Sequence, residues 1–384
     1  MTPAGPCHAA SPPHDKRLFT PGPLTTSRTV KEAMLHDLGS RDAAFIETIR
    51  AIRHDLLALA GLSPEHGYEA ILMQGSGTFG LEAVVGSVIP PDGRLLVLVN
   101  GAYGTRIAKM AEVLGMATLT LAVPEDQTPD PEAVEAVLAD HPDVTHVFVV
   151  HCETTTGILN PIQAIGERVK AHGAVYGVDA MSSFGAIPID LPACGIDFLV
   201  TSANKCIEGV PGFAVILARR ETLLATEGYA RSLSLNLLDQ WRGLEANGQF
   251  RFTPPTHALL AFHQALKELQ DEGGVPGRAA RYRTNHYTLV AGLRALGLRP
   301  FLDPARQSYI ITSFHYPKDP RFDFDTFYRR LSDRGLVIYP GKVSQANLFR
   351  IGHIGRLTPT DMQDLVDAVE EVLVEMGVSV PLGG

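Results

Sequence analysis

Between about residues 67 and 220 the chain alternates short apolar runs with longer amphipathic stretches. The runs Ala70–Gln74, Leu95–Asn100, Ala117–Val123, Thr145–His151, Ala174–Ala180, Phe198–Ala203 and Gly212–Arg219 are dense in Val, Ile, Leu and Ala. Short continuous runs of this kind, with little polar alternation, predict strands covered on both faces. Thr78–Ile89, Tyr103–Gly115, Pro131–Asp140 and Pro161–His172 lie between most of them and predict helices. The βαβα order predicts an α/β fold built on a mainly parallel, seven-stranded sheet.

A helical pattern over Ala44–Gly61 precedes this block and another over Thr256–Gly273 follows it. The Gly-Gly pair at 273–274 then marks a break. Beyond it, Arg278–Gly297, Phe324–Gly335 and Pro359–Met376 predict helices. Tyr309–His315, Val337–Tyr339 and Leu348–Ile351 predict strands, a sparser mixture that suits a smaller α+β domain. The expected division is a loose arm over 1–17, a large domain over 18–273 and a small C-terminal domain over 274–384. The chain shows no internal repeat.

Composition narrows the function without naming it. With 384 residues, 45% of them hydrophobic, the chain has ample material for a sizeable core. A formal net charge of -9, with the positive residues scattered, offers no footprint for nucleic acid or an acidic membrane surface. Four cysteines without CxxC spacing suggest a reducing compartment rather than a disulfide framework or structural zinc. The Pro-, Ala- and His-rich start lacks the pattern of a secretory signal. A soluble, cytoplasmic protein is the expectation.

In a parallel sheet, ligands gather beyond the carboxyl ends of the strands. The unusual polar residues of this chain fall there. Gln74-Gly75-Ser76-Gly77-Thr78 joins the first predicted strand to a helix, so free N–H groups, two hydroxyls and a helix dipole converge as a phosphate cradle. With Gly80 the loop also spells GxGxxG, but the next strand ends in Asn100 rather than a ribose-binding acid. A tight βα turn would account for the glycines alone. Asp179 closes an apolar strand, where an unpaired carboxylate is costly and implies a cationic partner. Lys205, in Ser-Ala-Asn-Lys-Cys, follows another such strand, where desolvation favours the neutral amine that Schiff-base chemistry needs. One cofactor uses a phosphate cradle, an acid for a pyridinium nitrogen and a lysine together: pyridoxal 5'-phosphate. His151-Cys152-Glu153 looks like a metal set, but neighbours on an extended chain face opposite ways, so no metal is expected. Ser182 and Ser183 lack the GxSxG elbow of a serine hydrolase.

Asp179-Ala-Met-Ser-Ser and Ser202-Ala-Asn-Lys-Cys-Ile-Glu-Gly-Val-Pro-Gly resemble the class V aminotransferases, fold type I enzymes that use pyridoxal phosphate. His151-Cys-Glu-Thr-Thr-Thr-Gly agrees, and Leu18-Phe-Thr-Pro-Gly-Pro-Leu-Thr-Thr-Ser, Asp239-Gln-Trp-Arg and Tyr339-Pro-Gly-Lys narrow the resemblance to the phosphonate-processing branch. It covers about residues 18 to 377 and implies transfer of an amino group from 2-aminoethylphosphonate to pyruvate, giving phosphonoacetaldehyde and L-alanine. The alternative it leaves is an alanine– or serine–glyoxylate enzyme of the same family. By resemblance, Lys205 would carry the cofactor as a Schiff base and Asp179 would pair with its ring nitrogen. Ser76, Gly77 and Thr78 would hold the phosphate, with Asn204 near it. Tyr103 would stack on the ring and Thr154 would bond its phenolic oxygen. Thr253 would reach the phosphate of a neighbouring subunit, which implies a homodimer. Arg350 would bind the acidic group of the substrate. The chain departs from the branch at Arg41, where many members carry Trp, and at Asn236-Leu237-Leu238, which lacks acidic and aromatic residues. Arg41 would add a second anion contact.

Overall fold

The structure is a computed structural model that describes residues 15–341 and 346–382. Most of the predicted arm, as well as Lys342 and Val343 of the Tyr339-Pro-Gly-Lys-Val segment, therefore lies outside the described residues. Seven strands form the main sheet: β1 (Tyr68–Gln74), β2 (Arg94–Val99), β3 (Ala117–Ala122), β4 (Val144–Val150), β5 (Val175–Asp179), β6 (Phe198–Ser202) and β7 (Phe213–Arg219). Their order is β1-β7-β6-β5-β4-β2-β3, and only β7 runs against its neighbours. All seven match predicted runs, because central strands in such a sheet bury both faces: Phe198–Ser202 is buried throughout.

Helices α1 (Ala43–Leu59), α2 (Gly77–Val88), α3 (Ala102–Val113), α4 (Pro131–Asp140), α5 (Ile162–His172), α6 (Leu237–Asn247) and α7 (Thr256–Asp271) belong to this sheet region. Helix α6 has no counterpart among the predicted elements. Its start and stop signals are local, with the Asn236 side chain accepting from the Asp239 amide at the N-terminus and Gly248 closing it in the left-handed region. The long helix α8 (Gly274–Ala295) follows, beginning one turn earlier than its predicted start at Arg278. Pro276 is tolerated there because first-turn amides lack helical partners anyway. The C-terminal portion adds β8 (Ile311–His315), β9 (Tyr339–Pro340), α9 (Phe324–Asp333), β10 (Leu348–Gly352) and α10 (Pro359–Glu375), the three strands pairing antiparallel in the order β8-β10-β9.

A large apolar cluster surrounds the main sheet, and a second, with Phe314, Phe349, Leu365 and Val369, fills the C-terminal portion. Phe19 belongs to the second cluster, and Arg17–Leu18 pair in parallel with Leu336–Val337. Residues 17–19 are thus attached to the C-terminal portion although the sheet region follows them in sequence. The strand that carries Arg350 holds this segment, since the Gly352 amide donates to Phe19 O at 3.0 Å. Among the described residues no helix is long and apolar enough to cross a membrane.

Candidate active site

Strands β1, β4, β5 and β6 all point the same way, so their carboxyl ends share one edge of the sheet. Gly75–Thr78, Glu153–Thr154, Asp179 and Asn204–Lys205 come off that edge. Lys205 is half-buried, and the desolvation of its amine lowers it to about 8. Its Nζ donates to the Pro21 carbonyl at 2.6 Å, so the N-terminal segment forms one wall. Gly22 makes that approach possible: at φ 120° it adopts a conformation glycine alone takes readily, and a Cβ there would lie 2.7 Å from Lys205 Cδ.

Asp179 is 1% exposed, and burial pushes its carboxyl up to about 7 although the Met181 amide donates to it at 2.9 Å. Neither group is held by an ion pair among the described residues. An acid and an amine, both raised in energy by burial, face the same space and act on each other's charge.

The cradle sits at the N-terminus of α2. Ser76 occupies the cap position with no side-chain cap bond, which leaves the first amides of the helix free for an anion. Thr78 Oγ1 accepts from Arg106 Nη1 at 3.3 Å. Arg106 also lies over the Tyr103 ring, 4.8 Å from its centroid. The sequence reading missed Arg106. Its signal is the i, i+3 spacing from Tyr103 on α3, which stacks the two on one face.

The His151-Cys152-Glu153 segment disperses to three partners. His151 Nδ1 pairs with Ser183 Oγ at 2.9 Å, and burial holds the imidazole at about 4, so it stays neutral. Cys152 packs in a third apolar cluster and donates weakly to Ser308. Glu153, fully buried, accepts from the amides of Tyr103, Gly104 and Thr155 and from the Thr155 hydroxyl at 2.8–3.3 Å. It caps α3 from outside and so fixes Tyr103, a role missed in the sequence because the cap is distant along the chain. Burial nevertheless raises its carboxyl above the usual range.

Arg350 is 2% exposed on β10. Its Nη1 donates to Thr154 O and its Nε to Pro340 O, both at 2.9 Å, and the Tyr103 hydroxyl lies close enough to act on its charge. Burial lowers its pKa, and no carboxylate pairs with it among the described residues. A guanidinium without a carboxylate partner is chemically suited to binding an anion. The Thr154 hydroxyl shares a 2.7 Å hydrogen bond with Ser182. Lys205, Asp179, Tyr103, Thr154 and Arg350 are thereby brought into one electrostatically linked group.

Two expected residues stand elsewhere in the single chain. Thr253 is exposed on a lip beside Gln74, Gly75 and Phe79. Arg41 is also exposed and lines an adjoining hollow with Ser40, Arg251 and Thr253. Asn204 is half-buried, its carbonyl close against Gly22. Leu237 and Leu238, where the sequence departs from the phosphonate branch, are buried in the main core, so that departure concerns packing.

Comparisons with known proteins show the family and the fold. The family model described as aminotransferase class-V matches residues 26–346. A 2-aminoethylphosphonate–pyruvate transaminase of Klebsiella pneumoniae subsp. pneumoniae is 52% identical over 358 residues, 93% of this chain and 97% of that protein. Proteins of the same name from Vibrio vulnificus and Syntrophobacter fumaroxidans are 51% and 52% identical, over 93% and 94% of this chain and 97% of each of theirs. Among solved structures, the pyridoxamine–pyruvate aminotransferase of Mesorhizobium loti superposes with a TM-score of 0.86 at 28% identity, covering 96% of this chain and 95% of that one. The ureidoglycine–glyoxylate aminotransferase of Bacillus subtilis gives 0.88 at 24% identity over 97% and 96%, a likeness of fold alone.

Proposed function

The chain belongs to the class V aminotransferase family and is an aminotransferase of fold type I, and we propose that it moves the amino group of 2-aminoethylphosphonate to pyruvate with pyridoxal 5'-phosphate as cofactor. What supports the donor most directly is the 52% identity with the Klebsiella pneumoniae transaminase over 93% of the chain. The residues present fit the cofactor. The start of α2 is uncapped and flanked by Ser76, Thr78 and Arg106, a donor set made for a phosphate. Asp179, buried and raised to about 7, is stabilised as a carboxylate by a cationic ring nitrogen.

Bound there, pyridoxal 5'-phosphate supplies an aldehyde for the amino group and a ring that accepts the electron pair left when a proton departs. The protein's part is positional and electrostatic. Ser76, Gly77, Thr78 and Asn204 hold the phosphate end, and Tyr103, fixed by Glu153, covers the ring. Thr154 bonds the phenolic oxygen, and Asp179 keeps a proton at the ring nitrogen. Lys205 would be the base that moves a proton at the substrate carbon; its value near 8 leaves roughly a fifth of it neutral at about pH 7.4, far more than an ordinary lysine. Arg350 binds the acidic group of the donor and the pyruvate carboxylate in turn.

Thr253 completes the site of a second copy in a homodimer, and Arg41 adds an anion contact. Their exposed position beside Phe79 and Phe252, at 54% and 44% exposure, supports that arrangement. Residues 18–273 serve as the cofactor domain and 274–384 as the small domain, in a cytoplasmic enzyme.

The test is purified protein with pyridoxal phosphate, 2-aminoethylphosphonate and pyruvate, assayed for both alanine and phosphonoacetaldehyde. Formation of both, lost in Lys205→Ala, is the expected result. Turnover of alanine or serine with glyoxylate, without the phosphonate reaction, would replace the donor assignment.

A further inference from the structure

Three residues beyond Lys205, Glu208 is the non-glycine residue at positive φ, 66°, among the described residues. It is also a buried carboxylate, 3% exposed. Side chains seldom take the left-handed conformation unless their surroundings over-determine it. Here they do. Glu208 Oε1 accepts from the Tyr282 hydroxyl at 2.6 Å and from Arg281 Nη2 at 2.8 Å, with Arg278 Nη1 at 3.4 Å. Both arginines also hold Glu272, each through Nε at 2.7 Å. Two acids thus balance two bases inside the protein, as buried charges require.

The cluster joins two parts of the site. On one side, the Glu208 amide donates to Lys205 O at 2.8 Å and Arg278 Nη1 donates to Cys206 O, which fixes the loop carrying the lysine. On the other, Arg281 Nη1 donates to Gly355 O at 2.6 Å and Leu357 O at 3.1 Å, and the Tyr282 hydroxyl accepts from the Gly355 amide at 3.1 Å. Gly355 lies three residues beyond β10, the strand of Arg350. The Tyr282 hydroxyl and the Arg281 guanidinium each bridge Glu208 to that segment.

We propose that Glu208 is a positioning residue: through Arg281 and Tyr282 its carboxylate locks the Lys205 loop to the segment that follows Arg350, so the proton-moving amine and the anion receptor keep one spacing. The assignment of roles to Lys205 and Arg350 rests on the function proposed above. The bond network explains why a strained glutamate, rather than glycine, occupies position 208.

Two variants test it at 15 °C with saturating cofactor. Glu208→Gln removes the charge, and Tyr282→Phe removes only the bridging hydroxyl while keeping the buried ring. Glu208→Gln is expected to lower kcat at least tenfold and raise the pyruvate KM at least fivefold. Tyr282→Phe is expected to raise that KM at least threefold with its circular dichroism unchanged. The rate at which cofactor-free protein captures pyridoxal phosphate, followed by its visible absorption, is expected to fall at least threefold in both. A purely structural role would lower melting temperatures yet leave these constants at parental values. If Glu208→Gln does not fold, Tyr282→Phe decides alone, and unchanged KM and capture rate in it overturn the proposal. Should the parent make no alanine from 2-aminoethylphosphonate, the functional reading fails, whereas the capture rates still judge Glu208.

Discussion

Asp179→Asn in the cofactor-free protein offers the sharpest check on the electrostatics of the site. The native carboxyl titrates at about 7 because it is buried, against 3.8 ordinarily. Between those values the native state retains a proton that the unfolded chain has released, so this group makes the protein less stable as pH rises. From pH 5 to pH 8 the loss amounts to ~3 kcal/mol. Lys205 does not blur the window. Its native value near 8 lies below the ordinary 10.5, so its stability contribution changes mainly above pH 8. Asparagine can still accept from the Met181 amide, but it never ionises. Any constant cost of the substitution cancels when the two pH values are compared. An entropy of unfolding of ~0.8 kcal/mol/K for a chain of this length converts the effect to about 3–4 °C. Scanning calorimetry should therefore find that the melting temperature of the variant, relative to the parent, rises by that amount from pH 5 to pH 8. A pH-independent difference would refute the burial argument. With cofactor, the same substitution should cut turnover by ~100-fold or more, the scale expected for losing a charge-stabilising group.

Other consequences are equally open to measurement. Gly22→Ala combines a φ of 120° with a Cβ 2.7 Å from Lys205 Cδ; it should cost ~1–3 kcal/mol in stability and slow cofactor capture, and a parental capture rate would show that Gly22 does not control the lysine. Arg350→Lys loses the planar fork and should raise the pyruvate KM by ~10-fold or more, with kcat less affected; an unchanged KM would place the anion receptor elsewhere. If Thr253 completes a neighbouring site, mixing refolded Lys205→Ala and Thr253→Asp subunits, each inactive alone, should restore roughly a quarter of parental activity. No recovery would confine each site to one chain.

The seven sheet strands were legible as apolar runs because a doubly covered parallel sheet leaves no polar alternation to confuse the reading. Asp179 and Lys205 stood out for the same reason: an ionisable group at the end of such a run is anomalous within a few residues of sequence. Sequence therefore determined the fold class, the cradle and the two titrating groups. Helix α6 escaped notice because its identity rests on a cap and on packing of Leu237 and Leu238 rather than on a long apolar period. Tertiary structure alone decided what meets what. It set the Pro21 carbonyl against the Lys205 amine, Glu153 under the start of α3, and Arg350 beside Tyr103 and Thr154. It also turned Glu208 from an ordinary loop glutamate into the centre of a buried ion cluster. Each of these contacts joins residues far apart along the chain, and a local pattern carries no trace of a partner that only the folded sheet brings near.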